Sequence, residues 1–269
     1  MSHRTLTAAV AAVTALLVLP ASAITKDTIT MSGSTSVYPL AVGLAKSYVK
    51  AFPGRASFKI LQGGTDIGIN DVSKGRVTIG LASRDPEDAD PGGLVFNKVA
   101  RDGVCIITNN KNKIRTLSAT QIQNIFTGKI RSWSKVPGAK VKGAINLFTR
   151  TASSGTADAF QNIFLGTNKR IASNTPAKAS NGLMRQTVSS NKNAIGFVSL
   201  DFLQGVNAVG YGGVSCTLRN SKSGQYKGVR NFWMVTRGKA DGAAATYLDW
   251  VQKSEAARKV VSSRWIALQ

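Results

Sequence analysis

The chain of 269 residues has a single histidine, His3, close to its N-terminus. Beyond that position there is none, which removes the Ser-His-Asp and Cys-His machineries and the usual histidine-bearing zinc centres. Acids are also scarce, with 13 Asp and Glu against 35 Lys and Arg. They are scattered and offer no pair suited to carboxylate-driven hydrolysis, so an enzyme is not expected. The densest acidic run, DPEDAD at 85–90, does not have EF-hand spacing. With the Pro and Gly that follow, it reads as a polar surface turn, and neither a metal nor a cofactor is expected. There are two cysteines, Cys105 and Cys216. They could pair in an oxidising compartment, yet each sits in an apolar segment where a buried thiol is equally at home. Aromatic residues make up 7% of the chain, no zinc-finger pattern occurs, and the Lys and Arg are spread along it. A solvated basic surface that attracts anions is therefore preferred to a nucleic-acid partner.

What is present begins with a leader. Arg4 precedes the apolar run AAVAAVTALLVL at 8–19, and Pro20-Ala21-Ser22-Ala23 supplies an A-x-A cleavage pattern. Residues 1–23 thus read as a secretory signal peptide cut after Ala23. No cysteine lies near the cut, so a lipid-anchored form is not expected. No later run approaches the roughly 18 apolar residues of a membrane helix, and the mature chain is expected in the periplasm or secreted. It keeps 34 Lys and Arg against 13 acids, a net charge of +21.

From there strands and helices alternate, the pattern of an α/β fold with mainly parallel sheets. TITM (28–31) reads as a strand, SGSTS as a turn, and VYPLAVGLAKSYVKAF as a helix with Pro39 in its first turn. SFKILQ is a strand and DIGINDVSKG a short helix; VTIGLA (77–82) and GVCIITN (103–109) are strands buried on both faces. SATQIQNIFTG is a capped helix, INLFTR a strand, NGLMRQTVSS a helix and AIGFVSL a strand; VRNFWMVT and two helices follow.

Four strand ends share one chemistry. SGSTS brings hydroxyls at Ser34, Thr35 and Ser36 to a helix start, and GGTD brings Thr65 to another. LASRD ends a strand in Ser83 and Arg84, and TRTASSGT sets Arg150 before Ser153, Ser154, Gly155 and Thr156. One such turn is an ordinary helix cap. Repeated at the carboxyl ends of strands, where open α/β sheets bind ligands, they fit a small oxyanion held by amides, hydroxyls and guanidinium.

Several stretches resemble the periplasmic phosphate-binding proteins of the high-affinity phosphate ABC transporter. They are GSTSVYPL, LQGGTDIG, VTIGLASRD, LSATQIQNIFTGKIRSWSKV, TRTASSGTADAF and AIGFVSL. The resemblance implies a two-lobed periplasmic binding protein fold with a hinge and an interlobe ligand cleft. One lobe would comprise 24–103 with 206–269, the other 104–205. It implies phosphate ligands at Thr35, Ser36, Thr65, Arg84, Arg150, Ser154, Gly155 and Thr156. It also implies a monomer that delivers phosphate to membrane permease subunits. Many family members have Asp where this chain has Arg84; that carboxylate accepts a proton from phosphate and repels sulfate, leaving selectivity open. Asp66 or Asp85 are candidates to replace it. The alternatives are a receptor for another tetrahedral oxyanion such as sulfate, or a basic extracellular adhesion or nucleic-acid-binding protein on the same fold.

Overall fold

The computed structural model describes residues 27–268, so the expected leader lies outside the described residues. Strand β1 (Asp27–Gly33) pairs in parallel with β2 (Ala56–Gln62) on one side and β3 (Ile79–Ala82) on the other. Helices α1 (Tyr38–Ala51) and α2 (Thr65–Ser73) make the crossovers. β3 is buried at every position, as its unbroken apolar run requires. Leu40, Leu44 and Tyr48 of α1 pack on Ile29, Met31 and Leu81, and the C-terminal helices close the same core.

Strand β4 (Leu94–Thr108) is 15 residues long and joins two cores. The sequence pattern pointed only to its second half, because the first half is partly exposed and lacks a clean alternation. That first half pairs antiparallel with β11 (Val229–Arg237), which lies between β3 and β4. From Val104 onward the partners change to β9 (Ala194–Ser199) and β10 (Asn207–Tyr211), both antiparallel. The four pairings around β4 and β11 are thus antiparallel, unlike the mainly parallel sheet expected, because the chain enters the second core and returns along the same line.

The second core is built on β4, β9 and β10 with β5 (Thr116–Leu117), α3 (Ala119–Phe126) and α4 (Gly155–Phe160). Ser118 and Gln121 form a reciprocal capping box that starts α3. The expected strand INLFTR is split. β6 (Asn146–Leu147) pairs with β9, whereas β7 (Thr149–Arg150) peels away to pair with β8 (Ala177–Lys178). Helix α5 (Asn181–Ser190) follows, starting from Ser180 as its N-cap. Residues 206–211, expected with the first lobe, instead hydrogen-bond to Ile106–Thr108 and to β5, and Val209 sits in the second core. The short α6 (Leu218–Lys222) leads back to β11, and α7 (Gly242–Lys253) and α8 (Glu255–Arg264) cover the first core. Among the described residues no helix is long and apolar enough to cross a membrane.

Cys105 of β4 is bonded to Cys216, 111 residues further along. The bridge is packed by Leu200 and Tyr226, and the Tyr226 hydroxyl donates to the Val104 carbonyl at 2.7 Å. It ties the return segment to the strand on which the chain entered. Closing so long a loop typically contributes about 2–4 kcal/mol. Replacing both cysteines by Ala should therefore lower the Tm by roughly 5–15 °C. Thiol titration of unfolded, unreduced protein should find none, and two free thiols would exclude the bridge.

Candidate functional site

The hydroxyl-bearing turns meet where the two cores touch. After β1 the chain runs through Ser34, Thr35 and Ser36 into α1; after β2, Gly64 leads into α2 at Thr65; Ser83 directly follows β3. From the second core come Arg150 on β7, the α4 start at Ser154–Thr156, and Asn181 at the start of α5. Ser34, Thr35, Ser36, Thr65, Ser83, Arg150, Ser154, Thr156 and Asn181 are all buried.

Hydrogen bonds join these groups across the boundary. Ser36 Oγ and Thr156 Oγ1 share one at 2.9 Å. Asn181 Nδ2 donates to Thr35 Oγ1 and Ser36 Oγ at 3.0 and 2.9 Å, its own Oδ1 held by the Ser199 amide. Ser34 Oγ donates to Ser83 Oγ at 2.8 Å, and Thr65 Oγ1 accepts from the Ser83 amide. The approach of the α4 turn requires glycine. A Cβ on Gly155 would stand 2.4 Å from Thr65 Oγ1, and Gly64, at φ +121°, would put one 2.7 Å from the Ser153 carbonyl. The amides of Gly155 and Thr156 belong to a first helical turn, which offers them no carbonyl four residues back. Ser154 Oγ caps the same turn by accepting from the Ala157 amide.

Arg150 is 4% exposed. Its Nε donates to the Lys178 carbonyl, and its Nη2 to Thr35 Oγ1 and the Ala179 carbonyl. Nη1 is buried and has no partner among the described residues. Burial, then repulsion from Arg230, pushes its pKa down to about 9. A buried guanidinium without a carboxylate, with an unused N–H pair, is a charge left without a counter-charge.

A second guanidinium was not anticipated. Arg230 of β11 sends Nη1 to Thr156 Oγ1 at 2.9 Å and to the Ser83 carbonyl at 3.2 Å, while Nη2 and Nε bind Asp102 Oδ2. Asp102 is wholly buried, and its Oδ1 accepts from Ser199 Oγ at 3.0 Å. Burial raises the Asp102 pKa to about 6 despite the attraction of Arg230, so it is ionised at neutral pH. Burial likewise lowers that of Arg230, which as an arginine still keeps its proton. Asp102 thus offsets Arg230, and the positive charge of Arg150 stands unbalanced. Arg230 had a signal in the sequence: it shares the buried face of its strand with Phe232 and Met234, where a charge is out of place. Asn181 and Ser199 had none, since neither stands out by type or spacing.

Arg84 does not join this cluster. Its Nη2 binds Asp90 and Asp66 at 2.6 and 3.1 Å, and its Nη1 binds Asp90 and the Asp85 carbonyl. Its Nε lies 3.6 Å from both Glu87 and Asp158. Burial opposes its charge, but Asp90, Glu87 and Asp66 outweigh that and raise its pKa. Asp158, pushed up to about 7 by burial and by repulsion from Asp66 and Glu87, completes the group. Arg84 therefore organises the 85–90 turn. Asp85 accepts from Asn231 and Trp233, and Asp66 is turned to Arg84, so both expected substitutes for a proton-accepting carboxylate are engaged elsewhere. Among the described residues no three His, Cys, Asp or Glu are grouped to hold a metal.

A family model for the PBP superfamily domain matches residues 20–255. The phosphate-binding protein PstS of Bacillus subtilis is 27% identical over 241 residues, 88% of this chain and 79% of that protein. A putative phosphate ABC transporter substrate-binding protein from Clostridium perfringens, solved with bound phosphate, superposes with a TM-score of 0.85 at 31% identity, covering 90% of this chain and 100% of that one. An ABC-type phosphate transport receptor from Vibrio cholerae gives a TM-score of 0.71 at 27% identity, covering 90% and 100%. With a match that runs through both cores and both strands joining them, this chain belongs to the PBP superfamily domain and has its two-lobed binding-protein fold.

Proposed function

We propose that this protein is a secreted receptor that binds inorganic phosphate between its lobes and delivers it to an ABC permease. The observation that carries the reading is Arg150: buried, uncompensated, with Nη1 unpartnered and Nη2 donating to Thr35 Oγ1 across the lobe boundary. The relatives that bind phosphate supply the ligand's identity. The protein would bind its ligand without transforming it, act as a monomer, and leave the cell on the leader 1–23.

The donor set is Arg150 with Thr35, Ser36, Thr65, Ser154 and Thr156, and the amides of Ser36, Gly155 and Thr156. Asn181 and Arg230 orient the hydroxyls, and Arg84 stands outside. The lobes are 27–103 with 229–268, and 104–228. The return is drawn at Val229 because the Gly228 carbonyl accepts from the Val104 amide just before β11 begins. An anion bonded to both lobes would favour their closure, since it interacts with the closed arrangement more than with an open one.

Calorimetry should show one-to-one phosphate binding by the mature protein, weakened about a hundredfold or more in Arg150→Ala. Arg84→Ala should lower the Tm and leave that affinity within about threefold, because its partners are carboxylates. Unchanged affinity in Arg150→Ala would refute the site. Sulfate should compete with phosphate, since among the described residues no free carboxylate faces the hydroxyls to repel it; complete silence toward sulfate would show that such a group exists.

Sulfate also isolates the protein's own titration, being a dianion throughout the range. A bound anion disfavours the charge on Asp102 and so favours its protonation; by reciprocity, protonation favours the anion. Sulfate affinity should therefore rise as pH falls through about 6, the Asp102 value. Asp158 contributes in the same direction nearer 7. Asp102→Asn should remove the lower step and, by leaving Arg230 without its carboxylate, lower the Tm; a profile unaltered by that change would dissociate Asp102 from the site.

A further inference from the structure

Between Gly103 and Leu200 the chain carries 14 Lys and Arg and one acid, Asp158. The excess basic charge is thus concentrated in the second lobe, although the Lys and Arg of the whole chain are spread along it. Asp158 is spent on the Arg84 group. Lys111, Lys113, Lys135, Lys140, Lys142 and Lys192 are exposed, and none has an acidic partner among the described residues. Three segments carry them, and these segments are bound to one another. The Lys140 amide donates to Asn112 Oδ1 at 2.9 Å. The Trp133 amide donates to the Gly143 carbonyl, and the Trp133 indole to the Asn193 carbonyl at 2.9 Å. The six lysines therefore belong to one end of the second lobe, with buried Trp133 at its centre.

We propose that this end is an electrostatic docking surface for an anionic phospholipid bilayer. A surface built only for solubility mixes charges of both signs, whereas this one has a single sign. The exposed large apolar residues, Leu61, Ile67, Val95 and Leu183, lie elsewhere, so the face offers nothing to insert between acyl chains. It has no exposed aromatic shelf for single-stranded nucleic acid. Short loops and a single turn (Trp133–Lys135) build it, where groove readout needs a helix or ribbon. What remains is a broad array of lysines matched to a broad array of phosphate headgroups. Adsorption of this kind acts within a Debye length, about 10 Å at 0.1 M salt, and needs no pocket. It would confine the protein to the plane in which a permease lies, and it does not depend on the identity of the ligand in the cleft.

The test is co-sedimentation of the mature protein with vesicles of phosphatidylcholine, with and without about one-third phosphatidylglycerol. Binding is expected to the anionic vesicles alone, and to fall at least tenfold between about 0.05 and 0.5 M salt. Replacing the six lysines by Gln should weaken it at least tenfold while Tm and anion affinity stay unchanged. The control Lys46→Gln, Lys50→Gln, Lys59→Gln on the first lobe should bind as the parent does. Equal binding to neutral vesicles, no binding to either, parent-like binding by the six-lysine variant, or tighter capture by duplex DNA than by anionic vesicles would each overturn the proposal. Should the six-lysine variant fail to fold, vesicle selectivity and salt dependence of the parent still decide it.

Discussion

Asp102 and Arg230 face each other as the penultimate register pair where β11 leaves β4. One position on, Val229 pairs with Gly103, and from Val104 the strand turns to β9 and β10. The pair thus marks the place where one core hands the chain to the other. It lies out of water, where a lone charge of either sign would cost several kcal/mol, so neither residue is tolerable without the other. Ser199 completes the carboxylate from the second lobe, and Arg230 spends its remaining nitrogen on Ser83 and Thr156, one from each lobe. A single buried ion pair therefore fixes the strand handover and aims the hydroxyls of the cleft.

Arg84 and Arg150 differ in charge compensation. Both are buried to a similar degree. Arg84 has Asp66, Glu87, Asp90 and Asp158 around it, an excess of negative charge that raises its pKa. Arg150 has carbonyls, a hydroxyl and another guanidinium, and its pKa falls. The first arrangement is complete without a ligand. The second leaves its guanidinium charge unbalanced. In a chain with so few acids, placing four around Arg84 keeps that cation out of competition for the anion while holding the acids away from the cleft.

Much of this was legible in the residues, and what was not has physical reasons. The Ser118–Gln121 box, the apolar run of β3 and the face of α1 are local signals, and the elements formed where those signals stood. The hydroxyl turns were legible because they recur at strand ends. The first half of β4 was hidden because its pairing with β11 is set some 130 residues away in sequence and its burial is partial. The placement of β10 was hidden for the same reason: its residues resemble any short strand until their partners are known. Arg84 and Arg150 read alike because each follows a strand, and only the folding back of 85–90 distinguishes them. Arg230 was the one site residue whose register signalled it without being used.

The lobes meet through contacts that are good in shape and poor in charge. Ser36 with Thr156, the Asp66 amide with the Ser153 carbonyl, and Gly155 against Thr65 make the lobes fit at the cleft. Yet the same fit brings two guanidinium groups into one low-dielectric region where only Arg230 has a carboxylate partner, and Arg150 feels Arg230 there. Opening would return water to Arg150 and relieve that penalty, while closure keeps the hydroxyl contacts. Two opposing terms of this kind leave a protein poised between states. On the proposed reading, an oxyanion would shift that balance by neutralising Arg150 where the hydroxyls of both lobes are in reach. On that reading, the unbalanced charge would make closure depend on the ligand, whereas a carboxylate in its place would hold the lobes shut without one.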